Sequence, residues 1–107
     1  MDLVELVYRF TDAFPDNERF NLVSQIRRSA VSIPSNISEG YGRKSDGEFA
    51  QFLRIAYGSA AELETQVLLS GRLKFIGNKD QERILEELTI VRKMLNKLLS
   101  TVRKAKS

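Results

Sequence analysis

Four times along this chain, apolar residues return at steps of three and four, the spacing that places them on one face of an α-helix. Leu3, Leu6, Val7, Phe10 and Phe14 make the first stripe, and Val23, Ile26, Ala30, Ile33, Ile37 and Tyr41 the second. Phe49, Leu53, Ala56, Ala60, Leu63 and Val67 form the third, which can run on through Ser70 towards Leu73. The fourth, Ile84, Leu88, Val91, Leu95, Leu98 and Val102, keeps a seven-residue repeat of coiled-coil character. A one-sided helix is stable only when its apolar face is covered, so each stripe needs the others. The pattern predicts an all-α fold, with helices over about 2–14, 17–42, 46–75 and 79–104 in one domain spanning 1–107. Short connections make successive helices antiparallel neighbours, hence an up-down-up-down four-helix bundle.

The residues between the stripes carry stop and start signals. Phe14-Pro15-Asp16-Asn17 breaks the first helix, with Asp16 or Asn17 placed to cap the second. Gly40 and Gly42 are expected to end the second helix. Ser45-Asp46-Gly47-Glu48 matches a capping box, in which the serine accepts from the third helical N–H and the glutamate reaches back. Ile76-Gly77-Asn78 supplies the last turn, with Asn78 as the cap, and the tail Lys104-Ala105-Lys106-Ser107 is expected to fray. Ala56, Gly58, Ser59, Ala60 and Ala61 would let another helix come close to the third. Pro34 is the anomaly. It removes the hydrogen bond to the Ala30 carbonyl, at a cost of roughly 3 kcal/mol in a helix interior. The apolar stripe keeps phase through it, so the prediction is one long second helix kinked at Pro34. The alternative is a break, with Ser32 capping a new helix.

Composition narrows the chemistry. Histidine and cysteine are both absent. No Ser-His or Cys-His nucleophile and no ordinary zinc site can therefore be built. A carboxylate- or lysine-based mechanism is all that remains, and the expectation is a protein that is not an enzyme and uses no cofactor. Glu62 and Glu64 lie two apart and point to different faces, which suits salt bridges better than a paired-acid site. Gly40-Tyr41-Gly42-Arg43-Lys44-Ser45 ends like a phosphate-binding loop, but Arg43 and Ser38 stand where that loop needs glycine, and no strand precedes it. No run approaches the roughly twenty apolar residues of a membrane span. With no basic n-region or cleavable apolar core at the N-terminus, a cytoplasmic protein is expected, with neither a membrane nor a small-molecule substrate as partner.

The net charge is only +3, but it is unevenly placed. Residues 1–18 carry Asp2, Glu5, Asp12, Asp16 and Glu18 against Arg9, whereas Leu88 to Ser107 carries Arg92, Lys93, Lys97, Arg103, Lys104 and Lys106 with no acid. This polarity suits an anionic partner, or equally an acidic end meeting a basic end of a neighbouring subunit. In the second helix Arg28, Ser32, Ser35, Asn36, Glu39 and Arg43 fall together opposite the apolar stripe. They form either a solvated face or a second contact surface. On the fourth helix Lys93, Lys97 and Lys104 align opposite the core seam, and each that meets a phosphate would release counterions.

The run Ile26-Arg27-Arg28-Ser29-Ala30-Val31-Ser32-Ile33-Pro34-Ser35-Asn36-Ile37-Ser38-Glu39-Gly40-Tyr41-Gly42-Arg43 strongly resembles the bacterial four-helix-bundle family that includes proteins encoded within intervening sequences of 23S ribosomal RNA genes. The resemblance extends back to Phe14-Pro15-Asp16-Asn17-Glu18. It continues through Glu48-Phe49, Phe52-Leu53 and Ala56-Tyr57-Gly58-Ser59-Ala60-Ala61-Glu62-Leu63-Glu64-Thr65-Gln66. It implies a four-helix protomer that assembles into a ring, commonly a pentamer. A related branch, the accessory variability proteins of diversity-generating retroelements, looks like basic barrels that bind nucleic acid and a reverse transcriptase. A charge of +3 is mild beside that branch, although a five-fold ring would multiply the basic patch. The expectation is a homo-oligomer binding structured RNA or a nucleoprotein complex. Arg27, Arg28, Arg43, Lys44, Lys93, Lys97 and Lys104 would meet phosphates, and Ser32, Ser35, Asn36 and Glu39 would lie at a subunit boundary. The alternative is an oligomeric protein–protein interaction scaffold without nucleic-acid binding.

Overall fold

The computed structural model describes the backbone of residues 1–106 and the side chains of residues 1–102. These residues form four α-helices: α1 (Asp2–Thr11), α2 (Ser24–Tyr41), α3 (Asp46–Arg72) and α4 (Asn78–Lys106). A 3-10 turn at Asp16–Glu18 and a π-helical turn at Arg19–Val23 join α1 to α2. No strand occurs among the described residues, so the fold is all-α. The long helix α3 packs against both α2 and α4, and α1 packs against the same two helices. Every apolar stripe reaches the core: Leu3, Val7, Ile33, Leu53, Leu63 and Leu95 are completely covered. On α4, Leu99 joins the seam and Leu98 lies at its edge, since a straight helix drifts about 20° per heptad from a strict seven-residue repeat. The ends of two stripes do not stay inside. Tyr41 and Leu73 are exposed, each at the terminus of its helix.

The connection between α1 and α2 departs most from a continuous helical pattern. Helix α1 stops at Thr11, short of Phe14, because the Phe14 N–H turns back to the Thr11 carbonyl (3.1 Å) and Pro15 follows. Phe14 still reaches the core, with its ring centroid 5.6 Å from that of Phe75. Neither Asp16 nor Asn17 provides a side-chain cap; Pro15 holds that position in extended backbone, and the Glu18 N–H donates to the Pro15 carbonyl at 3.0 Å. The π turn then buries Leu22 and Val23 and turns Phe20 outward. Beyond it, α2 runs without interruption through Pro34, so the second helix does not restart at Ser32.

Glycine and serine have more specific tasks than punctuation. Gly42 is the C-cap of α2, as the sequence suggests, but at φ −78°, since no glycine adopts positive φ, and Gly40 lies within the helix. Gly40 is buried, and a Cβ placed there would lie 2.7 Å from Phe49 Cδ1 and 3.1 Å from Phe52 Cβ. Only a hydrogen fits where the end of α2 meets the first turns of α3. Ser45 caps α3 as its sequence suggests, accepting from the Glu48 N–H at 3.1 Å, while its hydroxyl donates to Glu48 Oε1 at 3.3 Å. Asn78 is the first residue of α4 and not its cap; the Gln81 N–H instead donates to the Gly77 carbonyl at 2.9 Å.

Helix α3 ends in a Schellman motif. The Phe75 N–H reaches the Ser70 carbonyl (2.9 Å) and the Lys74 N–H the Gly71 carbonyl (3.1 Å), with Lys74 at φ 63°. A side chain in this left-handed region costs about 1–2 kcal/mol, partly offset by the extra chain entropy a glycine would lose on folding. Lys74→Gly should therefore stabilise the protein by about 0.5–1 kcal/mol, seen as a rise of a few degrees in thermal unfolding midpoint. A fall would show that the Lys74 side chain supports the turn.

Candidate nucleic-acid interface

The contact between α2 and α3 is built from small and polar side chains. Ser29, only 3% exposed, donates to Glu62 Oε1 at 2.8 Å. The Ser32 and Ser59 hydroxyls lie 2.8 Å apart, and Asn36 Nδ2 donates to the Ser32 carbonyl (2.8 Å) and hydroxyl (2.9 Å). Such residues let the helices approach while every polar group named finds a partner. The polar stripe of α2 therefore divides. Ser32 and Asn36 are half-buried and spend hydrogen bonds inside the protomer, whereas Ser35 and Glu39 are exposed.

The arginines divide as well. Arg27 donates from Nε to Thr11 Oγ1 (2.9 Å) and from Nη2 to Asp12 Oδ1 (2.8 Å) and the Tyr8 carbonyl (3.3 Å). Its guanidinium also sits 4.6 Å from the Tyr8 ring centroid. Arg27 thus fastens the end of α1 to α2. Arg43 donates to Glu39 Oε1 at 2.8 Å and lies 4.9 Å from the Phe52 ring. Arg92 donates to Glu64 Oε2 at 2.6 Å, 5.7 Å from the Tyr57 ring. In each of the three, a carboxylate neutralises the cation and an aromatic face supports it, which orients the planar guanidinium.

Arg28, Lys44, Lys93 and Lys97 are different. All four are exposed, and no ion pair among the described residues involves them. They do not converge on one spot. Arg28 stands in the first turns of α2, about 20 Å from its end at Tyr41 at 1.5 Å per residue, and Lys44 lies beyond that end. Lys93 and Lys97 lie one turn apart on α4. The side chain of Lys104, the seventh expected phosphate ligand, lies outside the described residues. Among the described residues no cluster of acids could hold a metal ion, and no helix is long and apolar enough to cross a membrane.

An open groove of about 500 Å³, with no counterpart in the apolar spacing of the sequence, lies where α1, the π turn and α2 meet. Tyr8, Arg19, Phe20, Arg28 and Val31 are among its lining residues. Its signal was hidden because Phe20 precedes Val23 by three residues, which in a continuous α-helix would put both on the buried stripe. The π turn breaks that phase. A second groove, of about 610 Å³, lies on the α2–α3 side of Arg28 and includes Gln25, Glu62 and Gln66.

Known proteins share this fold. A family model described as 23S rRNA-intervening sequence protein matches residues 1–97. Among solved structures, the chain is similar to a protein with unknown function from the S23 ribosomal protein family from Bacteroides thetaiotaomicron. The sequence identity is 29% and the TM-score 0.81, over 91% of this chain and 90% of that chain. No curated protein matches.

Proposed function

Because the chain belongs to the 23S rRNA-intervening sequence protein family, we propose that it is a cytoplasmic, non-enzymatic homo-oligomer that binds structured RNA or a nucleoprotein complex. The observation that supports this most is the contrast among its basic side chains. Arg27, Arg43 and Arg92 are held by carboxylates and aromatic rings, whereas Arg28, Lys44, Lys93 and Lys97 reach solvent without an ion pair among the described residues. Only a cation left free in this way can neutralise a phosphate and release its counterions at full effect. In this reading the helices run up-down-up-down, with α2 bent at Pro34. The pairings Ser29–Glu62, Ser32–Ser59 and Gly40–Phe49 support it, since rising positions on α2 meet falling positions on α3. Protomers close into a ring of five, with exposed Ser35 and Glu39 beside half-buried Ser32 and Asn36 at the boundary. A ring repeats the free cations in every protomer, which compensates for a net charge of only +3.

A filter-binding titration with a structured RNA hairpin tests this. Affinity should be micromolar or tighter at 50 mM salt and fall about a hundredfold by 200 mM, as roughly four phosphate contacts require. Sedimentation of the same material should give a species several times heavier than the 12.2 kDa protomer. Absence of micromolar binding at low salt would leave the second reading, a protein-binding scaffold. That reading is favoured by the exposed Ile90 and Met94 on α4. A monomer would remove the ring.

A further inference from the structure

We infer that the groove between α1, the π turn and α2 is a stacking site for an unpaired RNA base, with Phe20 as the platform and Arg19 and Arg28 holding the flanking phosphates. This rests on the RNA-binding reading above and specifies the kind of RNA. Phe20 is 93% exposed, more than any other large apolar side chain described. A phenylalanine left in water forgoes about 1.5–3 kcal/mol of burial. It is not on a loose segment. Leu22 and Val23, in the same π turn, are buried in the core and fix the direction in which Phe20 points. The π turn leads directly into α2, so the outward direction of Phe20 is set by the same backbone that buries Leu22 and Val23.

The rest of the groove has the matching chemistry. Tyr8, Val23 and Val31 give it apolar walls, and its volume of about 500 Å³ lies within the range of small-ligand pockets. Arg27 in its lining is already bonded to Thr11, Asp12 and the Tyr8 carbonyl, so it is part of the wall and not a ligand for phosphate. Arg28 has no ion pair among the described residues, and Arg19 has only a long contact to Asp16, at 3.8 Å with the two side chains 68% and 98% exposed. Such a contact is screened by water and easily exchanged for a phosphate. An apolar platform with cations on its rim is what an unpaired nucleotide presents in complement: a flat base and a charged backbone. A paired helix would hide its base faces, so the site selects loops, bulges or ends.

The test compares an RNA hairpin with an unpaired purine loop against a fully paired RNA of the same length. It uses the full chain, Phe20→Ala and Phe20→Trp. The parent protein should prefer the looped RNA. Phe20→Ala should weaken binding to it about tenfold, within the range for removing one stacked base, and leave binding to the paired RNA and the sedimentation mass unchanged. Phe20→Trp should keep the affinity, and its emission should be quenched by the looped RNA; the chain has no other tryptophan to confuse the signal. If the parent binds RNA and Phe20→Ala binds the loop equally well, the stacking site is overturned while the RNA-binding reading stands. No RNA binding by the parent overturns both. A changed sedimentation mass for Phe20→Ala would assign Phe20 to a contact between copies and overturn the stacking site.

Discussion

Leu63→Ala should lower the unfolding free energy by about 3–5 kcal/mol. Leu63 is completely covered on α3, the helix that packs against both α2 and α4. Leu63 is among the largest completely covered side chains, so its removal leaves an enclosed cavity, which puts the cost in the upper part of the Leu→Ala range. A domain near one hundred residues has only about 5–15 kcal/mol in total. The variant should therefore lose roughly a fifth or more of its stability and melt on the order of 15 °C lower. Denaturant unfolding measures it, with Leu69→Ala as the control, since Leu69 is exposed on the same helix and should cost less than about 1 kcal/mol. Equal effects for the two would mean that α3 is not the centre of the core.

Arg27→Ala should cost about 2 kcal/mol, with α1 loosening first. The Asp12 contact contributes little of this, because the Asp12 side chain is 81% exposed and water screens the pair. The larger share comes from the bond to Thr11 Oγ1, which is buried, and from packing of the guanidinium on Tyr8. Arg27→Lys separates this role from phosphate binding. Lysine keeps the charge but cannot reproduce the fork that reaches Thr11 and Asp12 together. It should therefore lose most of the stability that alanine loses, while RNA affinity measured well below the melting temperature stays at the parental level. Retained stability with weakened RNA binding would contradict the clamp.

How much of this was legible in the sequence depends on whether a feature is local. The four stripes were legible because burying one face of a helix imposes a period that Leu3, Ile33, Leu63 and Leu95 obey regardless of their neighbours. Ser45 was legible for the same reason, since its partner lies three residues away. Gly40 reads as a terminator in the sequence, whereas its constraint comes from Phe49 and Phe52 on another helix. The outward position of Phe20 is not legible, because a π turn leaves no mark in apolar spacing. The Glu39–Arg43 pair, one turn apart, follows from helical spacing, but nothing local shows that Asp12, fifteen residues back, takes up the charge of Arg27. Ser32 and Asn36 fall on the outward face of a helical wheel, yet Ser59 on α3 lies against Ser32, to which Asn36 bonds.

In the proposed function, the clamped arginines build the protomer and the free cations meet RNA. The slope of log affinity against log salt tests this division for the parent, for Lys93→Gln/Lys97→Gln and for Arg27→Gln, each well below its melting temperature. The double lysine variant should bind more weakly, with a slope shallower by about 0.7–0.9 for each phosphate it no longer neutralises, and Arg27→Gln should keep the parental slope although it loses a charge. A parental slope for the lysine variant, together with a shallower one for Arg27→Gln, would contradict the division.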